Sequence, residues 1–173
     1  MNICFWGNKL SQRGSDILGL VSNYLGYKQT SLLGQELRYK RGLVYSVGVH
    51  LAEYRDAYVF YVNTATTSSD EVEKIVLDKL LNFKNNFTQE LLGEYKLQLK
   101  NIITRALDGE SSLNNYFANA WFFYGKIISP EEEIAAINEI KYEEIIELTS
   151  RVFKKDNLFV VKMENIPSGG SAS

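Results

Sequence analysis

The chain has 173 residues and carries one histidine, His50, and one cysteine, Cys4. A hydrolytic zinc centre that needs at least two imidazoles therefore lacks ligands, and a cysteine-based zinc site is excluded by the same count. A lone cysteine also rules out an intramolecular disulfide. Carboxylates are more plentiful, but Glu131-Glu132-Glu133 and Glu143-Glu144 read most simply as first-turn helix charges rather than as a paired acid/base site. His50 alternates with an apolar face and reads as an exposed strand residue. No nucleophile elbow, phosphate-binding loop or dinucleotide fingerprint appears, which argues against a freestanding enzyme of unrelated chemistry. Arg38, Tyr45 and Gly48 offer hydrogen-bonding or steric chemistry, as other residues of the chain do. Each also has a purely structural reading. Arg38, near a helix C-terminus, complements the helix dipole, as Lys40 and Arg41 do. Tyr45 has the parity of Leu43, Val47, Val49 and Leu51, so periodicity alone places it in the core. Gly48, in mid-strand, either marks a bulge or lets another backbone come close.

The elements that position these residues are legible from periodicity. Asn2 to Gly7 is a short apolar run that reads as a strand. Ser15 and Asp16 supply N-cap chemistry for a helix carrying Ile17, Leu18, Leu20, Val21 and Leu25, with Gly26 as its stop. A second short helix is expected from Ser31 to Lys40, where Leu33 and Leu37 repeat at i, i+4, and Gly42 ends it in a left-handed conformation. From Leu43 the period changes to two, which predicts a half-buried strand through Leu51. Ala57 to Thr66 is its partner across a hairpin at Glu53-Tyr54-Arg55-Asp56. Ser68 to Glu71 has capping-box spacing before a helix with Val72, Ile75, Val76, Leu80, Phe83 and Phe87 on its apolar face. Thr88 caps another long helix, and a break at Asp108-Gly109 precedes a helix from Ser111 to Tyr124 whose aromatic residues are expected in the core, or else at an interface between domains. Ser129-Pro130-Glu131-Glu132 opens a helix to about Ile140. A last helix carries Ile145, Ile146, Thr149, Val152 and Phe153, and Leu158 to Met163 closes the chain as a strand. Strands adjacent in sequence, followed by massed helices, predict an α+β fold of two layers: a mainly antiparallel sheet covered by helices. The expected division is one domain over 1–164 and a flexible Gly/Ser tail over 165–173.

Charge and composition narrow the partners. A formal charge of −2 and a pI near 5.5, with no dense Lys/Arg stripe, give no electrostatic reason to expect nucleic acid. No apolar run approaches the ~18–20 residues needed to span a bilayer, and no signal peptide is evident, so neither a membrane anchor nor export is expected and the cytoplasm is the default location. Eleven Tyr and nine Phe suggest large packed faces and a surface that belongs against a partner, so self-association of the isolated domain is a reasonable outcome.

The stretch Ser31-Leu32-Leu33-Gly34-Gln35-Glu36-Leu37-Arg38-Tyr39-Lys40-Arg41-Gly42-Leu43-Val44-Tyr45-Ser46-Val47 resembles the S-x-L-x-x-x-L-R-x-x-x-G-L-x-Y-x-V signature of the C-terminal-type halves of insulinase/pitrilysin-type (inverzincin) zinc metallopeptidases, among them bacterial zinc proteases and mitochondrial processing peptidases. The order of elements on either side resembles that family as well, over about residues 2 to 164. The resemblance implies that zinc is bound elsewhere, in an N-terminal-type half with an inverted H-x-x-E-H helix, where the Glu activates water. For this chain it implies no metal or cofactor of its own and no hydrolysis alone. It also implies an Arg/Tyr pair, Arg38 and Tyr45, that binds substrate peptide across a closed chamber. In that role the guanidinium donates to peptide carbonyls. The Tyr45 phenol would stabilise developing oxyanion charge, worth about 3–4 kcal/mol in a preorganised site. Gly48 would let the substrate backbone approach. The implied partners are a zinc-bearing half, in the same polypeptide or a separate subunit, and unfolded peptides. The competing expectation is a proteolytically inactive scaffold subunit of the same family.

Overall fold

The computed structural model describes residues 1–27, 30–106 and 110–163. The boundary expected at 164/165 and the tail beyond it lie outside the described residues, as does the break at Asp108-Gly109. Four strands, β1 (Asn2–Asn8), β2 (Val47–Glu53), β3 (Ala57–Thr64) and β4 (Leu158–Val161), form one sheet in the order β2-β3-β1-β4. Every neighbouring pair is antiparallel. Helices α1 (Gln12–Ser22), α2 (Ser69–Leu81), α3 (Gln89–Ala106), α4 (Glu110–Tyr124), α5 (Pro130–Asn138) and α6 (Tyr142–Val152) follow in the expected sequence. The expected α+β, two-layer architecture is the one found.

Alternation along the strands decides which face the helices cover. On β1, Ile3 and Phe5 are fully buried, and their partners Val62 and Phe60 on β3 are nearly or fully so. The rings of Phe5 and Phe60 each meet that of Phe153, just past α6, at 5.2 Å between centroids in edge-to-face geometry. Burying each such ring stabilises the fold by about 1.5–3 kcal/mol. A second aromatic hub centres on Tyr24, with Phe83, Phe87 and Tyr95 at 5.8, 5.0 and 5.2 Å. Its hydroxyl donates to the carbonyl of Asn86. The opposite sheet face is open: Trp6 is 51% exposed, and Phe159 and Val161 on β4 are exposed beside it.

Several helix boundaries depart from expectation. Ser11, not Ser15, caps α1, its Oγ accepting from Gly14 N at 3.1 Å. Ser15 and Asp16 lie within the helix and face inward, where Ser15 Oγ donates to Glu53 Oε1 at 2.5 Å. After Ser22 the helix widens into a π turn over Asn23–Tyr27, so Gly26 sits inside the helical run and does not stop it. At α2, Ser68 occupies the cap position without a side-chain bond. Its own N–H donates instead to Thr66 Oγ1, so the expected capping box is not made. The box at Ser129/Glu132 is made, with both reciprocal bonds present. On α4 the aromatic residues are not core: Trp121 and Phe122 are exposed, and among its described side chains only Ala120 is buried.

Candidate functional site

Ser31 begins the segment that carries Arg38. It is buried, its Oγ accepts from Gly34 N at 3.3 Å and its carbonyl accepts from Gln35 N at 2.9 Å. The expected helix is present, but from Gly34 to Tyr39 it is a π turn, closed by Lys40 N donating to Gln35 O, five residues back, at 3.0 Å. Leu33 and Leu37 are fully buried and lock the turn against the core. The turn ends with Gly42 N donating to Arg38 O and Leu43 N donating to Leu37 O, at 3.0 and 2.8 Å. This resembles a Schellman closure in which each bond spans one residue more than on an α-helix, as the wider turn requires. Gly42 has φ +63°, as its place after the helix led one to expect.

The strand expected from Leu43 starts only at Val47. Its ladder stops at the Val47–Thr64 pair. Beyond that point threonine hydroxyls replace the partner strand: Thr64 Oγ1 donates to Ser46 O at 2.6 Å and Thr66 Oγ1 donates to Leu43 O at 2.8 Å. Without a ladder the alternation breaks. Val44 turns inward, and Tyr45 turns outward with 84% of its surface exposed, so the core reading of Tyr45 is wrong.

The same break brings the two residues of the seven-residue spacing together. The Arg38 guanidinium carbon lies 5.2 Å from the Tyr45 ring centroid, and 5.3 Å from that of Tyr39. Both distances are in cation–π range. Arg38 is half-buried, yet among the described residues its guanidinium has no carboxylate or hydrogen-bonding partner. The nearby acid is engaged elsewhere: Glu36 takes Lys40 Nζ at 3.2 Å and Arg41 Nε at 3.0 Å. The hydrogen bond from Arg41, with Lys40 adding to it, holds the Glu36 carboxyl below the usual range. Lys40 and Arg41 are thus neutralised locally, while the charge on Arg38 is not.

Gly48 lies inside an unbroken ladder opposite Asn63, so there is no bulge. The close approach there is made by this chain's own side chains. A Cβ on Gly48 would sit 2.2 Å from Asn63 Oδ1 and 2.6 Å from His50 Nε2. A cavity of about 550 Å³ opens over this point, bounded in part by Ser46, Val47, Gly48, His50, Asn63 and Thr64. His50 is exposed, as expected, and its ring lies 5.1 Å from that of Tyr61. Among the described residues no group of three or more His, Cys, Asp or Glu side chains is arranged to hold a metal ion. The donor set thus does not fit a zinc site of the family type. No described helix is long and apolar enough to cross a membrane.

A separate acidic cluster is drawn from α1, β2, α4 and α5. Asp16 Oδ2 is buried without a hydrogen-bond partner among the described residues. Burial first, then the charges of Glu133 and Glu53, opposed by Arg13, push the Asp16 carboxyl up to about 7. Tyr116 donates its hydroxyl to Glu133 in the same cluster, and Tyr124 is pushed up to about 12, mainly by burial. Nothing in the spacing of these residues announces the cluster, because it is assembled from four elements.

Comparison with known proteins shows the family and the fold. Residues 1–99 match the family described as the peptidase M16 inactive domain. An uncharacterized zinc protease of Rickettsia bellii is 28% identical over 153 residues, covering 87% of this chain and 37% of the relative. One from Bacillus subtilis is 24% identical over 140 residues, covering 79% and 34%. The chain thus spans about a third of the length of these relatives. The fold matches the M16 inactive domain of Pseudomonas fluorescens with a TM-score of 0.76 at 19% identity, over 91% of this chain and 39% of that one. It matches a protease of Helicobacter pylori with a TM-score of 0.73 at 18% identity, over 91% and 38%. With more than half of its length matched by that family and with the same two-layer fold, the chain belongs to the peptidase M16 inactive-domain family.

Proposed function

We propose that this domain is the peptide-holding, non-catalytic half of an M16-type zinc metalloendopeptidase, closing a chamber against a zinc-bearing half that supplies metal and general base. The observation that carries this reading is the Arg38 guanidinium, unpaired among the described residues, half-buried and bordered by the exposed Tyr45 phenol. A buried or half-buried cation is normally paired, and one without a partner is suited to a ligand that brings acceptors with it. Peptide carbonyls are such acceptors, and the guanidinium offers them several donors in a plane. Tyr45, free of any ladder constraint, is available to donate to the carbonyl under attack, while water activation belongs to the other half. β2 is an edge strand, so an unfolded peptide could be held by pairing with it as an added strand beside the Arg38/Tyr45 pair and the Gly48 cavity.

The test is reconstitution. The purified chain alone should leave fluorescein-labelled casein intact. Adding the zinc-bearing M16 half should produce cleavage that Arg38→Ala and Tyr45→Phe both reduce. Cleavage indifferent to both substitutions would remove the site from the proposal. A second reading, a proteolytically silent scaffold subunit, is favoured by the open aromatic sheet face around Trp6 and Phe159 and by the exposed Trp121 and Phe122 of α4. It gains if the complex assembles but does not cleave.

A further inference from the structure

We infer that Tyr39 is a positioning residue for Arg38, and that it holds the guanidinium ready for peptide before any ligand arrives. The inference rests on the peptide-holding reading above, and three observations lead to it. First, Arg38 has two aromatic neighbours at nearly equal distance, the Tyr39 ring at 5.3 Å and the Tyr45 ring at 5.2 Å. Only the second belongs to the Arg/Tyr spacing. Second, no carboxylate fixes the guanidinium among the described residues, because Glu36 is occupied by Lys40 and Arg41. An arginine side chain free of ion pairs retains most of its rotamer freedom unless something else restrains it. Ring contacts restrain it without consuming its N–H groups, which lie in the guanidinium plane and remain available to acceptors. Third, Tyr39 is itself 48% exposed and absent from the buried core, so packing the interior does not explain its place.

The division of labour follows from chemistry. Tyr45 is poised to use its hydroxyl on the peptide, whereas Tyr39 needs only its ring. Phenylalanine should therefore replace tyrosine at 39 with little effect, while an aliphatic side chain of similar bulk should not. Fixing the guanidinium in advance lowers the ordering cost of binding, so removal of the ring should weaken peptide binding without altering the contacts made.

The experiment uses the intact chain and fluorescein-labelled casein, read by fluorescence anisotropy, together with the NMR signal of the Arg38 Nε–H group in the free protein. Tyr39→Leu is expected to weaken binding about 2- to 5-fold, the equivalent of an exposed cation–π contact. It should also shift the Arg38 signal and raise its mobility. Tyr39→Phe should keep both at the parental level. If Arg38→Ala abolishes binding while Tyr39→Leu binds normally, or if the Arg38 signal is unchanged in Tyr39→Leu, the positioning role is overturned and the peptide site stands. If Arg38→Ala itself binds casein like the parent, the peptide-site reading is overturned and the positioning role goes with it. Because Tyr39 is a surface residue, folding of both variants can be checked by their circular dichroism melts.

Discussion

Two half-buried arginines of this chain live in opposite circumstances. Arg13, on α1, is saturated: Nε and Nη2 donate to the two carboxylate oxygens of Glu144 at 3.1 and 2.8 Å, and Nη1 donates to the carbonyl of Ala136 at 2.5 Å. It ties α1 to α5 and α6, and its hydrogen bond is the main reason the Glu144 carboxyl is held below the usual range. Arg38 touches two rings and no acceptor among the described residues. Nothing in residue type distinguishes them. The difference teaches that residue type does not say whether a cation's donors are satisfied: Arg13 spends them on holding the fold, and the donors of Arg38 are available to the peptide of the proposed function.

The comparison can be broken by substitution. The largest effect is expected at Tyr45, where Phe should lower kcat of the reconstituted enzyme by about 100-fold, the loss typical of one oxyanion donor. Arg38→Ala should weaken peptide binding by about 10-fold or more, as for hydrogen bonds from a charged group, while leaving the melting temperature where it was. Arg13→Ala should do the reverse. Because both partners are about a third exposed, the ion pair is worth only about 1 kcal/mol, a fall of roughly 2–4 °C in Tm, with peptide binding intact. If Arg13→Ala impaired binding, or Arg38→Ala lowered Tm as much, the contrast would fail.

The smallest expected effects sharpen the same contrast through pH. Glu144 has a depressed folded pKa, so its contribution is present above the ordinary carboxylate range and is lost as pH falls through the folded value. Asp16 behaves oppositely. Its folded pKa of about 7 lies above the ordinary carboxylate range, so its contribution is complete below that range and is lost as pH rises toward 7. Asp16→Asn removes that titration. Its Tm relative to the parent should rise between pH 4 and pH 7 and stay level above, a gain of about 2–4 °C for each kcal/mol of charge burial relieved. Melts at pH 5 and pH 8 measure it, and an equal difference at both values would show that the carboxyl is ordinary.

Much of this was legible in the chain. The period-two run at β2, the apolar run at β1, the β-branched and aromatic run at β3 and the helical spacings at α1, α2 and α6 each mark an element, and the core residues Ile3, Phe5, Leu18, Phe60, Val76, Leu80 and Ile145 lie on them. Gly42 and the Ser129 capping box were readable because they are local devices, satisfied within a few residues. Ser15 misled because its hydroxyl is spent on Glu53 from inside the helix, and the box expected at Ser68 fails because the Ser68 N–H that Glu71 would have taken donates to Thr66. Arg38 and Tyr45 were singled out by resemblance, since spacing alone could not separate them from a dipole-compensating arginine and a core tyrosine, and the place of Gly48 in mid-strand left a close approach and a bulge equally open.

The amino-acid sequence by itself determined that no family-type zinc centre can be assembled here, because one imidazole cannot do the work of two, and that the chain makes an antiparallel sheet under helices, because hydrophobic periods are set residue by residue. Only the tertiary structure decided which way Tyr45 faces. That depended on two threonine hydroxyls, at Thr64 and Thr66, ending a ladder about twenty residues away in the chain. It likewise decided that Arg38 lies between Tyr39 and Tyr45 with no ion pair among the described residues, since whether a charge finds a partner is a property of neighbours in space.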